Sequence, residues 1–328
     1  MIEAELIKHA QKHFAQADKT PFTISPLDNL IGKHGTSQKA MDIMDGLVDI
    51  DSLSALDATR KVLQQMERPP TLKNVPPICT KVTVDDVAAC YRNWSEGTST
   101  SPSGRHLGHA RALIAHNGLP PDSDDPVAGF GLRMLAINTA LLNIAIETGY
   151  CFLRWCYVIN CLLEKDCGRP RITRLRIIHL YEADYNLILK ILWRRLIKHA
   201  DDHDALQTDQ WGSRPGRSCN EVVVFKQLTY MMSHMLHMPL ACFDNDAAAC
   251  YDRIIPPMAM MACQRLGMSA APCVLNATML QNARYRIKTQ LGISELYFYY
   301  CVLWPLFGTG QGSGNSPAIW LAVSILII

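Results

Sequence analysis

The stretch that decides the fold is Ala241-Cys-Phe-Asp-Asn-Asp-Ala-Ala-Ala-Cys-Tyr-Asp-Arg253. Residues 239–243 read as a short apolar strand running into acidic residues. Side chains alternate along a strand, so Asp244 and Asp246 share one face at its C-terminal end. The small residues Ala247, Ala248 and Ala249 leave room above them, and Tyr251 and Asp252 close the segment. Carboxylates at a strand end beside open space suit a hard divalent cation such as Mg²⁺. The same residues also suit a strand that ends in an acidic turn and a helix cap.

The next informative stretch is Leu306-Phe-Gly-Thr-Gly-Gln-Gly-Ser-Gly-Asn-Ser-Pro-Ala-Ile-Trp320. Alternate glycines at 308, 310, 312 and 314 exclude a helix or a central strand there. They predict a turn whose backbone approaches a neighbour or a flat ligand closely. Ser316-Pro317 then starts an apolar helix, with proline at its favoured first position.

Taken together, Asp246-x-x-x-x-Tyr251-Asp252 followed by Gln311-Gly312-x-x-x-Ser316-Pro317 resembles the reverse transcriptase family, in its non-LTR retrotransposon form. Two upstream segments agree in order. Lys165 and Leu175-Arg-Ile-Ile-His-Leu-Tyr-Glu-Ala-Asp-Tyr-Asn-Leu-Ile-Leu-Lys-Ile-Leu192 resemble the family's fingers segment. Gln210-Trp-Gly-Ser-Arg-Pro-Gly-Arg-Ser218 resembles the segment that precedes the catalytic strand. The likeness is good over 165–320, vague over 79–164 and absent over 1–78.

This resemblance implies an α+β polymerase right hand, with fingers and an incomplete ferredoxin-like palm after a helix-rich N-terminal region. It implies RNA-templated DNA synthesis with two Mg²⁺ ions, an RNA template, a DNA primer and deoxynucleoside triphosphates. Position by position, Asp246 becomes the catalytic metal-binding acid and the carbonyl of Ala247 a further ligand. Tyr251 becomes the aromatic gate against a ribose 2′-OH. Gln311 and Gly312 form the loop beneath the incoming nucleotide. Lys165 and Arg176 bind the triphosphate, and Arg214 and Arg217 lie near the template. The 165–176 stretch holds five basic residues and one acid, as a triphosphate site requires. It also suits a solvated basic loop.

Cys250, Ile177 and Ser213 depart mildly from the family pattern, where Ala, Pro and an aromatic are usual. The larger departure is the second carboxylate motif, hydrophobic-x-Asp-Asp, which should follow the Gln-Gly loop. No Asp or Glu follows Glu295. Two-metal transfer needs ions roughly 3.5–4 Å apart clamped by carboxylates from both strands, and one aspartate does not hold both. The simplest expectation is a truncated copy of a larger protein, itself inactive. A non-catalytic nucleic-acid-binding remnant is the alternative.

Working outward, the organisation reads as a helical and linker region over 1–78, loosely organised and expected to be poorly ordered, a fingers-like region over 79–238, and a partial palm over 239–328. Helices are predicted over 83–94, 106–115, 177–197, 222–235, 257–266 and 272–282. The apolar stretch 132–163 reads as two helices, or a helix and a strand, broken near Gly149. Residues 284–291 and 295–303 read as a strand pair turning near Gly292. Val82-Thr-Val-Asp-Asp86 mimics an acidic pair but makes a complete helix cap. Ser101-Pro-Ser-Gly-Arg-His-Leu-Gly-His-Ala110 resembles the phosphate-binding signature of class I aminoacyl-tRNA synthetases, without the preceding strand that chemistry needs.

Composition sets the outer bounds. The chain has 328 residues, 48% hydrophobic and 19% charged, which excludes a disordered chain. A net charge of +2 announces no nucleic-acid partner, so local clusters must carry that argument. The twelve cysteines lack any Cys-x-x-Cys pair and read as buried thiols in a reducing compartment. The start, MIEAELIKHA, is not a secretory signal, and the apolar run 318–328 is shorter than the roughly 18–20 residues of a membrane span. An intracellular site, cytoplasmic or nuclear, with no membrane and no obligate protein partner, is therefore expected.

Overall fold

The computed structural model describes residues 2–15, 20–95, 97–98, 102–115, 129–165, 168, 171–242, 247, 249–301 and 306–326. They form an α+β fold of twelve α-helices and a mixed five-stranded sheet. The N-terminal region is helical: α1 (Ile2–Phe14), α2 (Leu27–Ile31), α3 (Gln38–Met44), α4 (Asp57–Gln65), α5 (Val84–Asn93), α6 (Leu107–Ala115) and α7 (Phe130–Thr148). Phe14, Ile31, Met44, Leu63 and Met66 from this region belong to the same buried cluster as the sheet.

The sheet begins after Gly149, which ends α7 in the left-handed conformation at φ 69°. Strand β1 (Tyr157–Glu164) pairs antiparallel with β2 (Leu175–Leu180) as a hairpin. After α8 (Ala183–Asp202), α9 (Cys219–Met235), α10 (Pro256–Arg265) and α11 (Ala270–Asn282), the chain returns as β3 (Arg284–Thr289). This strand lies parallel to β1. Strands β4 (Gly292–Ile293) and β5 (Phe298–Tyr299) both pair antiparallel with β3, and α12 (Ser316–Ser324) closes the described chain.

Two sequence expectations are corrected. The stretch 177–197 is not one helix: its first four residues belong to β2, and α8 starts at Ala183. The short run Ile177-Ile-His-Leu180 fits either period, and pairing with β1 decides it, because the hairpin satisfies its backbone groups. Glu182, with ψ 137°, separates strand from helix. The strand expected over 239–243 is not formed over 239–242. Among the described residues no strand pairs with this segment. Phe243, Asp244 and Asp246 lie outside the described residues.

Helix α8 is the centre of the molecule. Tyr185, Ile188, Leu189, Leu192, Trp193, Leu196 and Ile197 recur at helical spacing and are buried. Burying each such side chain stabilises the fold by roughly 1.5–3 kcal/mol relative to exposure. The polar tips are matched: Tyr185 Oη donates to Asn276 Oδ1 at 2.7 Å, and Trp155 Nε1 donates to Asp184 Oδ1 at 3.0 Å. Helix α7 is the one described helix long and apolar enough to cross a membrane. Its stripe of Leu135, Thr139, Leu142 and Ile146 is buried, and the helix packs against α5, α6 and α11.

Candidate functional site

The site is assembled by the glycine-rich loop, which threads between two parts of the fold. On one side, Gly308 N donates to Ile254 O at 2.8 Å and Thr309 N to Tyr251 O at 2.9 Å. On the other, His179 N donates to Gln311 O at 2.6 Å, so the loop forms a bridge alongside β2 at Ile178. Asn186 of α8 clamps the far end: its Nδ2 donates to Gly312 O at 3.1 Å, and its Oδ1 accepts from Gly314 N at 2.5 Å. The glycines are required by contact. A Cβ on Gly308 would lie 2.8 Å from Asp252 Cα, and one on Gly312 2.3 Å from His179 O. Both residues also have positive φ, at 100° and 111°, where other side chains are strained.

This threading brings together residues far apart in sequence. Arg176 is exposed on β2, opposite Leu163 of β1. Lys165, just past β1, donates its backbone N–H to Arg174 O at 3.3 Å. Ile178 lies two residues beyond Arg176 and therefore on the same face, and Gln311 pairs with the backbone there along the free edge of β2. Tyr251 belongs to the turn that holds Thr309, two residues before Gln311. Tyr251 is half-buried, and burial raises the pKa of its hydroxyl. The segments that carry Arg176 and Tyr251 thus lie on either side of the loop that carries Gln311 and Gly312. Ala247 is exposed, and Asp246 lies outside the described residues.

The two template candidates stand elsewhere. Arg214 ties its own loop to the end of α8. Its guanidinium bonds Asp201 and donates to Gln207 O at 2.9 Å and Gln210 O at 3.1 Å. Arg217 is exposed and stacks on Trp211, 4.7 Å from the ring centre.

Sequence reasoning missed the cluster beneath the loop. Asp252 is only 5% exposed, and its Oδ2 meets His13 Nε2 of α1 at 2.9 Å. Phe14 O, next in the chain, accepts from Phe307 N at 3.0 Å. The other carboxylate oxygen of Asp252 and Nδ1 of buried His179 have no hydrogen-bond partner. Burial pushes the His179 pKa down to about 4, with Asp252 opposing the shift and His13 adding to it. His13 and Asp252 are 239 residues apart, and no local pattern links them.

Among the described residues, no group of three His, Cys, Asp or Glu side chains could hold a metal ion. The acidic pair near 85 is a helix cap: Thr83 and Asp86 form a capping box, and Asp86 also pairs with Arg195 at 2.8 Å. The synthetase-like segment opens α6, where His106 Nδ1 accepts from Gly108 N at 3.1 Å. No strand precedes it among the described residues. Compared with known proteins, the chain matches no family model and no curated protein.

Proposed function

We propose that the chain is the fingers and first palm segment of a reverse transcriptase-like polymerase, working on RNA template, DNA primer and deoxynucleoside triphosphates inside the cell. The observation that carries this reading is the threading of the Gln311 loop between the Tyr251 turn and the basic hairpin. Those three segments carry three of the four motifs of the resemblance, and they are distant in sequence.

In this reading Arg176 and Lys165 hold the triphosphate and neutralise the charge that develops on it. The Gln311–Gly312 backbone supports the nucleotide from below. Tyr251 stands where a ribose 2′-OH would clash. In a full-length relative two Mg²⁺ ions would supply charge stabilisation for attacking and leaving oxygens, and Asp246 alone does not hold both. Asp246 is the proposed ligand, with the Ala247 carbonyl. Asp252 is engaged with His13 and is not assigned to metal. A second reading, a nucleic-acid-binding protein without chemistry, is favoured by the basic and aromatic outer face of β3.

Calorimetry with a deoxynucleoside triphosphate and Mg²⁺ tests the first reading. Binding is expected to weaken about tenfold or more in Arg176→Ala, as loss of a charge-assisted contact predicts. Tyr251→Ala is expected to admit the ribonucleotide nearly as well. Triphosphate binding that is absent, or indifferent to both changes, overturns it. Primer extension by this chain that Asp246→Ala abolishes would replace the second reading outright.

A further inference from the structure

The outer face of the sheet carries, besides Arg176 of β2, a second set of basic and aromatic residues centred on β3. Strand β3 reads Arg284-Tyr-Arg-Ile-Lys288. Tyr285 and Ile287 point into the core, while Arg284 and Lys288 are exposed and Arg286 is half-buried. Cationic side chains therefore recur at every second residue, about 6.6–6.8 Å apart along the strand. Register places tyrosines beside them. Arg284 pairs with Tyr157 of β1 on one side and Tyr299 of β5 on the other. Tyr297 shares the Tyr299 face by alternation, and the Arg286 guanidinium lies 4.3 Å from the Tyr297 ring centre. The Tyr157 and Tyr297 rings meet edge to face at 5.9 Å.

These groups line two hollows that share Tyr297. One, of about 670 Å³, also takes in Tyr150, Tyr299 and Arg284, with the amides of Gln281 and Asn282 at its rim. The other, of about 300 Å³, takes in Tyr157 and Arg286. Tyr297 and Tyr299 are 37% and 55% exposed, unusual for side chains so costly to leave in water. Arg284, Arg286 and Lys288 form no ion pair among the described residues, and Arg286 Nε has no hydrogen-bond partner.

We infer that this face binds single-stranded nucleic acid, with bases stacked on Tyr297 and Tyr299 and phosphates held by Arg284, Arg286 and Lys288. Aromatic rings offer sequence-tolerant stacking to unpaired bases, and a line of cations follows the backbone. A duplex hides the faces of its bases, so the tyrosines select the single strand. A protein ligand for this face would need a run of acids, and it would leave the stacking rings without a role. The inference shares with the proposed function only the class of ligand. None of its residues contributes to the triphosphate site.

The test is fluorescence anisotropy of the whole chain with labelled oligo-rU, oligo-dT and a blunt duplex of equal length, across a salt series. Both single strands are expected to bind more tightly than the duplex. Tyr297→Ala and Tyr299→Ala should each weaken single-strand binding about tenfold, with Tyr→Phe at either position close to wild type. Arg284→Ala with Lys288→Ala should reduce the slope of log affinity on log salt by about 1.4, two phosphate contacts at about 0.7 each. Equal affinity for duplex, no binding of either oligonucleotide, or binding indifferent to the tyrosine changes overturns the inference. Unaltered thermal melting of each variant excludes misfolding as the cause. Calorimetry of Tyr297→Ala with a deoxynucleoside triphosphate, run in parallel, separates the two ideas: triphosphate binding should stay at the wild-type level even where oligonucleotide binding is weakened.

Discussion

At the scale of single residues, His179 has the clearest consequence. It is wholly buried, with Tyr181 stacked on one side, Phe14 edge-on and Gly310 packed against its ring. Its pKa is about 4 in the fold, against 6.5 unperturbed. The unfolded chain therefore takes up a proton between those values while the folded chain does not. The stability it contributes is fully present above pH 6.5 and lost as pH falls towards 4, on the order of 3 kcal/mol in all. Urea unfolding at pH 7 and pH 4.5 checks this. His179→Gln should show a smaller difference between the two than wild type. An equal difference would mean that other groups carry the pH dependence.

At the scale of elements, the site depends on a helix from the other end of the chain. Helix α1 has only two buried residues, Ala10 and Phe14, but its last turn reaches the loop through His13 and Phe14 O. Leaving the Asp252 carboxylate buried without His13 should cost about 2 kcal/mol, the penalty of an unsatisfied buried polar group. His13→Ala should lower the urea midpoint accordingly and speed hydrogen exchange in α1. Unchanged protection there would show that Phe14 alone docks the helix. Most helices were legible in the sequence, because caps and breakers mark them: Thr83 and Asp86 for α5, Ser218 and Glu221 for α9, Gly149 after α7. The β2–α8 junction was not, since a four-residue apolar run carries too little periodicity to separate strand from helix.

At the scale of the whole molecule, α9 stands apart. It has no buried residue, and Val223, Val224, Phe225, Met231, Met232 and Met235 are each more than half exposed. Patches of this kind exceed what monomers ordinarily leave in water. The chain on its own should therefore associate with rising concentration, more strongly in sulfate, which strengthens apolar association. Light scattering checks this, with Phe225→Lys and Met232→Lys together expected to suppress it. Scattering that is flat for wild type would mean the patch is covered in solution.

The sequence by itself determined the α+β class, the position of most helices and the glycine loop. Those are local properties, set by φ/ψ limits, capping and periodicity. Only the tertiary structure decided that 177–180 is a strand, because its hydrogen bonds belong to β1. Only it set Gln311 beside β2 and Thr309 on Tyr251. Only it placed His13 on Asp252 and aligned Tyr157, Arg284 and Tyr299 on one face. Each of these joins residues from distant parts of the chain, and such contacts are fixed by strand register and core packing, which no local window of sequence contains.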